Sequence, residues 1–235
     1  MTFSVGGPAQ AQRSKVRQPQ SIDCLLQGWN GTDDLWVFAY GSLIWRPDFP
    51  WQERRLATVR GYHRSLCLWS RDHRGSPDAP GLVFGLDRGG CCRGVAYRVA
   101  GRDVRDTFQM LWQREMTHAA YTPRWLSCHT ESGSQGATTA ARAPVAAEAG
   151  YPAGAGPVLV RSLVFLLNRG CGDYAGALAE ERLLAAVRGA RGQSGPCLDY
   201  VVETERALRT YGIHDGRLAD LVRRLSGPMP AACAG

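Results

Sequence analysis

Lysine is almost missing from this chain of 235 residues: of its 28 basic residues, only Lys15 is a lysine. Long apolar runs are missing as well. No window approaches eighteen consecutive apolar residues, which argues against a transmembrane helix and a membrane partner. The longest early run, Leu35 to Ala39, is short and lacks a basic flank. The first twenty residues are polar and rich in Gly, Pro and Gln, with no apolar core of a secretory signal, so a cytoplasmic location is expected. Cysteine is present eight times, but never at the C-x2-C spacing of a zinc ribbon or a redox dithiol. Reduced thiols, several of them buried as small hydrophobes, are the expectation, with no metal and no cofactor.

What is there suits a packed globular domain. Apolar residues make up 44% and charged residues 21%, close to the globular average, and the length allows one core of full size. The net charge of +7 raises the question of nucleic acid. The arginines, however, are scattered from Arg13 to Arg224 in runs of no more than two, without the basic stripe such a partner needs. No nucleic-acid partner is expected.

Residues 1–33 read as a flexible N-terminal extension, with Ile22 to Trp29 forming a short helical turn on the body of the fold. The domain proper spans 34–226, and 227–235 form a Pro/Ala tail. Leu35 to Tyr40 is apolar on both alternating faces, the pattern of a strand buried on both sides. Strands are predicted at Leu56 to Trp69, Leu82 to Leu86 and Cys92 to Val99. The turn chemistry of Asp87-Arg88-Gly89-Gly90 predicts a hairpin between the last two.

Val104, Phe108, Leu111, Trp112, Glu115 and Ala119 then fall on one helical face, with Asp103 as a cap near its start. Two more strands follow, Tyr121 to Thr130 and Val158 to Asn168, joined by a flexible Ala/Gly-rich insertion at 131–156. The rest is helical: Leu178 to Arg188, a helix opened by Ser194-Gly195-Pro196 and ended at Gly212, and Asp215 to Leu225. Strands first, one inserted helix, then helices gives an α+β fold with a largely antiparallel sheet curled into a small barrel. The alternation of a doubly wound nucleotide fold is absent.

Two features carry chemistry. Tyr40-Gly41-Ser42-Leu43 ends a buried strand, where Gly41 lets the backbone turn tightly and approach a ligand, and successive N–H groups can hold an anion. Glu115 lies on the stripe that faces the core. A carboxylate there is paired, protonated or at a pocket wall, and burial that raises its pKa suits a general base near neutral pH. Together they fit acyl transfer or an elimination-like reaction on a small anion. Ser42 lacks the G-x-S-x-G elbow of a nucleophilic serine.

Trp36 to Pro47, Asp72-His73-Arg74-Gly75, Gly94-Val95-Ala96-Tyr97-Arg98 and Leu111 to Met116, in that order, resemble the ChaC family of γ-glutamylcyclotransferases. The resemblance runs from about Trp36 to about Leu225 and includes Tyr121 and the helix start from Ser194 to Tyr200. It implies a small β-barrel with flanking helices, and a lyase that cleaves glutathione to 5-oxoproline and cysteinylglycine without cofactor or metal. It implies that Val37, Phe38, Ala39, Tyr40, Gly41, Ser42 and Leu43 bind the γ-glutamyl moiety, that Glu115 is catalytic, and that Tyr121 supplies a nearby hydroxyl. Arg74 is a candidate for the cysteinylglycine half. Ala39 stands where the family commonly has Gly, and the 131–156 stretch is longer than the family's usual connection. Other γ-glutamyl amines or amino acids as substrates, and a non-catalytic small-anion binding module, are the alternatives.

Overall fold

The computed structural model describes residues 21–116, 119–131 and 158–227. The expectations for residues 1–20, 132–156 and 228–235 lie outside the described residues.

Strand β1 (Leu35–Ala39) sits between two neighbours, which is why its sequence is apolar on both faces: Val37, Phe38 and Ala39 have no exposed surface. It pairs antiparallel with β3 (Gly81–Val99), Leu35 opposite Val99 and Ala39 opposite Val95, and parallel with β5 (Leu159–Leu167) through Trp36 and Val37. β3 pairs along its length with β2 (Glu53–Ser70), which meets β4 (Tyr121–Thr130), and β4 meets β5. The order β1-β3-β2-β4-β5 closes a barrel. The α+β barrel read from the sequence is therefore the fold, with one parallel seam between β1 and β5.

The predicted hairpin at Asp87–Gly90 does not form. β3 runs straight through it, and the register with β2 slips where Arg60 faces Cys91 and Tyr62 faces Arg88. Gly61, Gly89 and Gly90 all adopt positive φ, 83°, 100° and 73°. The glycines thus serve a bulge that bends two long strands rather than a turn that reverses one. The reversal happens instead in the loop 71–80. Cys91 is exposed and Cys92 buried, as alternation along a strand requires.

Helix α2 (Gly101–Glu115) buries Val104, Phe108 and Leu111. Its cap is not Asp103, which lies within the first turn; the Gly101 N–H donates to Asp34 Oδ1 at 2.9 Å, from the segment before β1. Helix α1 (Ile22–Leu25) buries Leu25, Leu26 just after it is buried too, and the Leu25 carbonyl accepts from Trp125 Nε1. After β5 come α3 (Glu180–Gly189), a two-residue ribbon of β6 (Arg191–Gly192) with β7 (Gly195–Pro196), α4 (Cys197–Thr210) and α5 (Gly216–Ser226). Pro196 caps α4, and Gly212 at φ 68° follows its last turn. Asp215 caps α5 by accepting from the Leu218 N–H.

Candidate active site

The groups that could do chemistry collect at the end of the barrel where the chain leaves β1. Tyr40 reaches across to β5, its hydroxyl donating to the Phe165 carbonyl at 2.8 Å. Its own carbonyl accepts from Arg64 Nε. Gly41 then leads into a single 3-10 turn, Ser42–Ile44, in which the Ile44 N–H donates back to the Gly41 carbonyl. The Ser42 and Leu43 N–H groups precede the first bond of that turn and have no acceptor within it. Gly41 has φ −125°, so no left-handed backbone demands a glycine here. The demand is closeness: a Cβ at Gly41 would lie 3.2 Å from Tyr200 Oη.

β3 extends beyond the reach of β1 here, and the peptide groups of Phe84 find side-chain partners. The Phe84 N–H donates to Tyr200 Oη at 3.0 Å, and the Phe84 carbonyl accepts from Tyr121 Oη at 2.9 Å. Tyr200 (from α4) and Tyr121 (from β4) are thereby pinned to one residue, beside the bend. Tyr200 belongs to this cluster although sequence reading did not count it as a site residue. Its only signal was the resemblance of the helix start that contains it.

Glu115 ends α2 with its side chain 15% exposed. Its ion-pair partner among the described residues is its neighbour Arg114, at 3.4 Å. Burial raises the Glu115 pKa above the ordinary 4.5, and the Arg114 charge works against that rise. Arg114 also donates to Ser42 Oγ at 3.0 Å and to the Arg46 carbonyl at 3.1 Å, which joins the end of α2 to the bend. Burial pushes the Tyr40 and Tyr121 hydroxyls well above their usual pKa, and the Glu115 charge adds to both. Burial also raises Tyr200, again with a contribution from Glu115. All three hydroxyls stay protonated near neutral pH.

The structure brings Tyr40, Gly41, Ser42, Tyr121 and Glu115 to one end of the barrel. Leu43 is buried beside them. Val37, Phe38 and Ala39 form the wall behind, their side chains wholly within the core, and the Ala39 carbonyl would clash with a Cβ on Gly94. Among the described residues, no three His, Cys, Asp or Glu gather where they could hold a metal. The arrangement offers one carboxylate of raised pKa, three neutral phenols and a tight bend whose first N–H groups have no acceptor within its own turn. Those parts can hold a small polar substrate and move a proton.

Residues 35–226 match the family model of ChaC-like proteins. The chain is 30% identical over 203 residues to the human glutathione-specific γ-glutamylcyclotransferase 1, covering 85% of this chain and 82% of that protein. It is 27% identical over 188 residues to the glutathione-specific γ-glutamylcyclotransferase of Escherichia coli K12, covering 80% and 71%. Its fold matches the crystal structure of a yeast γ-glutamyl cyclotransferase specific to glutathione with a TM-score of 0.67 and 20% identity, over 82% of this chain and 95% of that one.

Proposed function

The chain belongs to the ChaC-like family, and from that premise we propose that it cleaves glutathione to 5-oxoproline and cysteinylglycine, with Glu115 moving the proton. The substrate's own α-amine attacks its γ-carbonyl. A C–N bond closes the five-membered lactam, the amide bond to cysteine breaks, and the proton lost by the amine is delivered to the departing peptide nitrogen. A group that both takes and returns that proton works best when its pKa lies near the operating pH. Glu115, raised by burial, suits the task.

The bend at Tyr40 to Leu43 folds the glutamyl chain so that amine and carbonyl meet. For a well-oriented intramolecular reaction such positioning supplies up to roughly 7–11 kcal/mol. The Ser42 and Leu43 N–H groups would stabilise charge growing on the carbonyl oxygen. Tyr121, held by the Phe84 carbonyl, would line the same space.

The observation that carries this reading is the join between Glu115 and the bend: Arg114 bridges them, and the Glu115 charge is felt at Tyr40, Tyr121 and Tyr200. The test is incubation of the purified protein with glutathione, and separately with γ-glutamyl amino acids, with mass detection of 5-oxoproline and of the released amine. Glutathione is expected to be turned over in preference to the amino-acid derivatives. Absence of 5-oxoproline with every substrate would refute the proposal.

A further inference from the structure

Arg74 is a buried cation with no counter-ion among the described residues. It is 8% exposed, and among the described residues no carboxylate stands within salt-bridge distance of it. Its guanidinium lies over the Tyr200 ring, 5.3 Å from the centroid, and over the Trp45 ring at 5.9 Å. One donor, Nη1, reaches the Pro196 carbonyl at 3.2 Å. The other donors have no acceptor among the described residues, yet none of those nitrogens is fully occluded. A guanidinium held in this way keeps donors available to a ligand.

The surrounding charge favours an anion there. Burial lowers the Arg74 pKa, and the charge of Arg46, which follows Trp45, adds a smaller push in the same direction. The exposed Asp199 in the first turn of α4 attracts Arg74 without pairing with it. Arg46 is itself paired with Asp48 at 2.9 Å, so the guanidinium left without a paired carboxylate among the described residues is that of Arg74.

The position matters as much as the charge. Tyr200 separates Arg74 from the bend: its hydroxyl is 3.2 Å from the Cβ position of Gly41, and its ring carries the guanidinium. One tyrosine side chain plus a stacking distance therefore spans the two. An extended tripeptide reaches about 10 Å, which covers that span.

We infer that Arg74 anchors the carboxylate at the far end of the substrate, the glycine carboxylate of glutathione, while the bend holds the γ-glutamyl end. The inference rests on the cleavage proposed above. It makes Arg74 a specificity residue, remote from the bonds that change. A charged hydrogen bond of this kind acts on substrate binding, and its loss raises KM more than it lowers kcat.

The experiment compares glutathione with glutathione esterified at the glycine carboxyl, on the wild-type protein and on Arg74→Met, which keeps the apolar stem. Esterification is expected to lower kcat/KM of the wild-type protein by about ten- to a hundredfold. Arg74→Met is expected to lose the same factor on glutathione and little more on the ester. Equal turnover of acid and ester by the wild-type protein overturns the inference. So does an equal loss on both substrates in Arg74→Met, which would make the residue structural or a ligand of the other end. If circular dichroism shows that the variant fails to fold, the two substrates on the wild-type protein decide alone. Failure of the wild-type protein to cleave glutathione at all would instead refute the proposed function.

Discussion

Glu115 is a carboxylate that the fold holds where its charge is costly. Replacing it with Gln keeps the shape and removes the charge, and turnover is expected to fall by about 10²–10⁴. The same change is expected to stabilise the protein at neutral pH. A carboxyl whose folded pKa is raised above 4.5 binds its proton more tightly when folded, so its ionised form destabilises the wild-type protein as pH rises from there through the folded pKa. Melting temperatures of Glu115→Gln and wild type should therefore converge at low pH and separate at pH 8, with the variant higher. A variant that melts lower at pH 8 would mean that the carboxylate is favourably paired. Arg114 opposes the rise, so Arg114→Gln should move the acid limb of the kcat profile to higher pH, and an unmoved limb would remove Arg114 from the tuning of Glu115. The Gly41 contact offers a coupled test. Gly41→Ala pushes on the Tyr200 hydroxyl and should lower kcat/KM, but should cost less in a Tyr200→Phe background. Glu115 was legible because a carboxylate on an apolar helical stripe breaks the pattern. Tyr200 was not, because a tyrosine on the buried face of an amphipathic helix looks like core, and the residue it bonds, Phe84, is 116 positions away.

The long strands β2 and β3 show how local chemistry can mislead. Asp-Arg-Gly-Gly has the composition of a turn, yet the positive φ of Gly89 and Gly90 is spent on a bulge opposite Gly61 because the two strands continue to pair on both sides of it. Only the pairing partner decides between bend and reversal, and the partner lies elsewhere in the chain. Just past that bulge, the 4% exposed side chain of Arg64 ties three elements together. Nε donates to the Tyr40 carbonyl, Nη2 to the Arg93 carbonyl at 2.7 Å, and Nη1 to Asp215, the cap of α5. Helix α5 is thereby linked to the bend through one guanidinium. Asp215→Ala removes a helix cap and leaves a buried charge without its counter-ion, a loss of about 3–5 kcal/mol for the pair. Urea unfolding should show that loss, and kcat/KM should fall with it because Tyr40 loses part of its support. Asp215→Asn, which can still cap, should recover some stability. Asp215→Ala with unchanged stability would show that α5 and the bend are independent.

The strands were readable one at a time because each carries its own apolar alternation, and the class of fold followed from their order. Closure was less readable: the order β1-β3-β2-β4-β5 depends on which strand each edge meets, and β1 and β5 meet across more than a hundred residues. The site inherits that dependence. Tyr40 follows β1, Glu115 ends α2, Tyr121 opens β4 and Tyr200 lies on α4, while their hydrogen-bond partners Phe84 and Phe165 belong to β3 and β5. No fragment of the chain contains enough of these to assemble the rest. One apolar cluster, running from Leu25 to Leu225, also packs the helices onto the barrel, so neither layer keeps a core of its own. Denaturation should therefore be a single event. Loss of 5-oxoproline formation, loss of far-ultraviolet dichroism and the shift of tryptophan fluorescence should share one urea midpoint. Activity lost well before the other signals would mean that α4, with Tyr200, leaves the barrel while the strands remain closed. The site would then be a docking of two parts, and the Tyr200–Phe84 bond would be the latch between them rather than one bond in a common core.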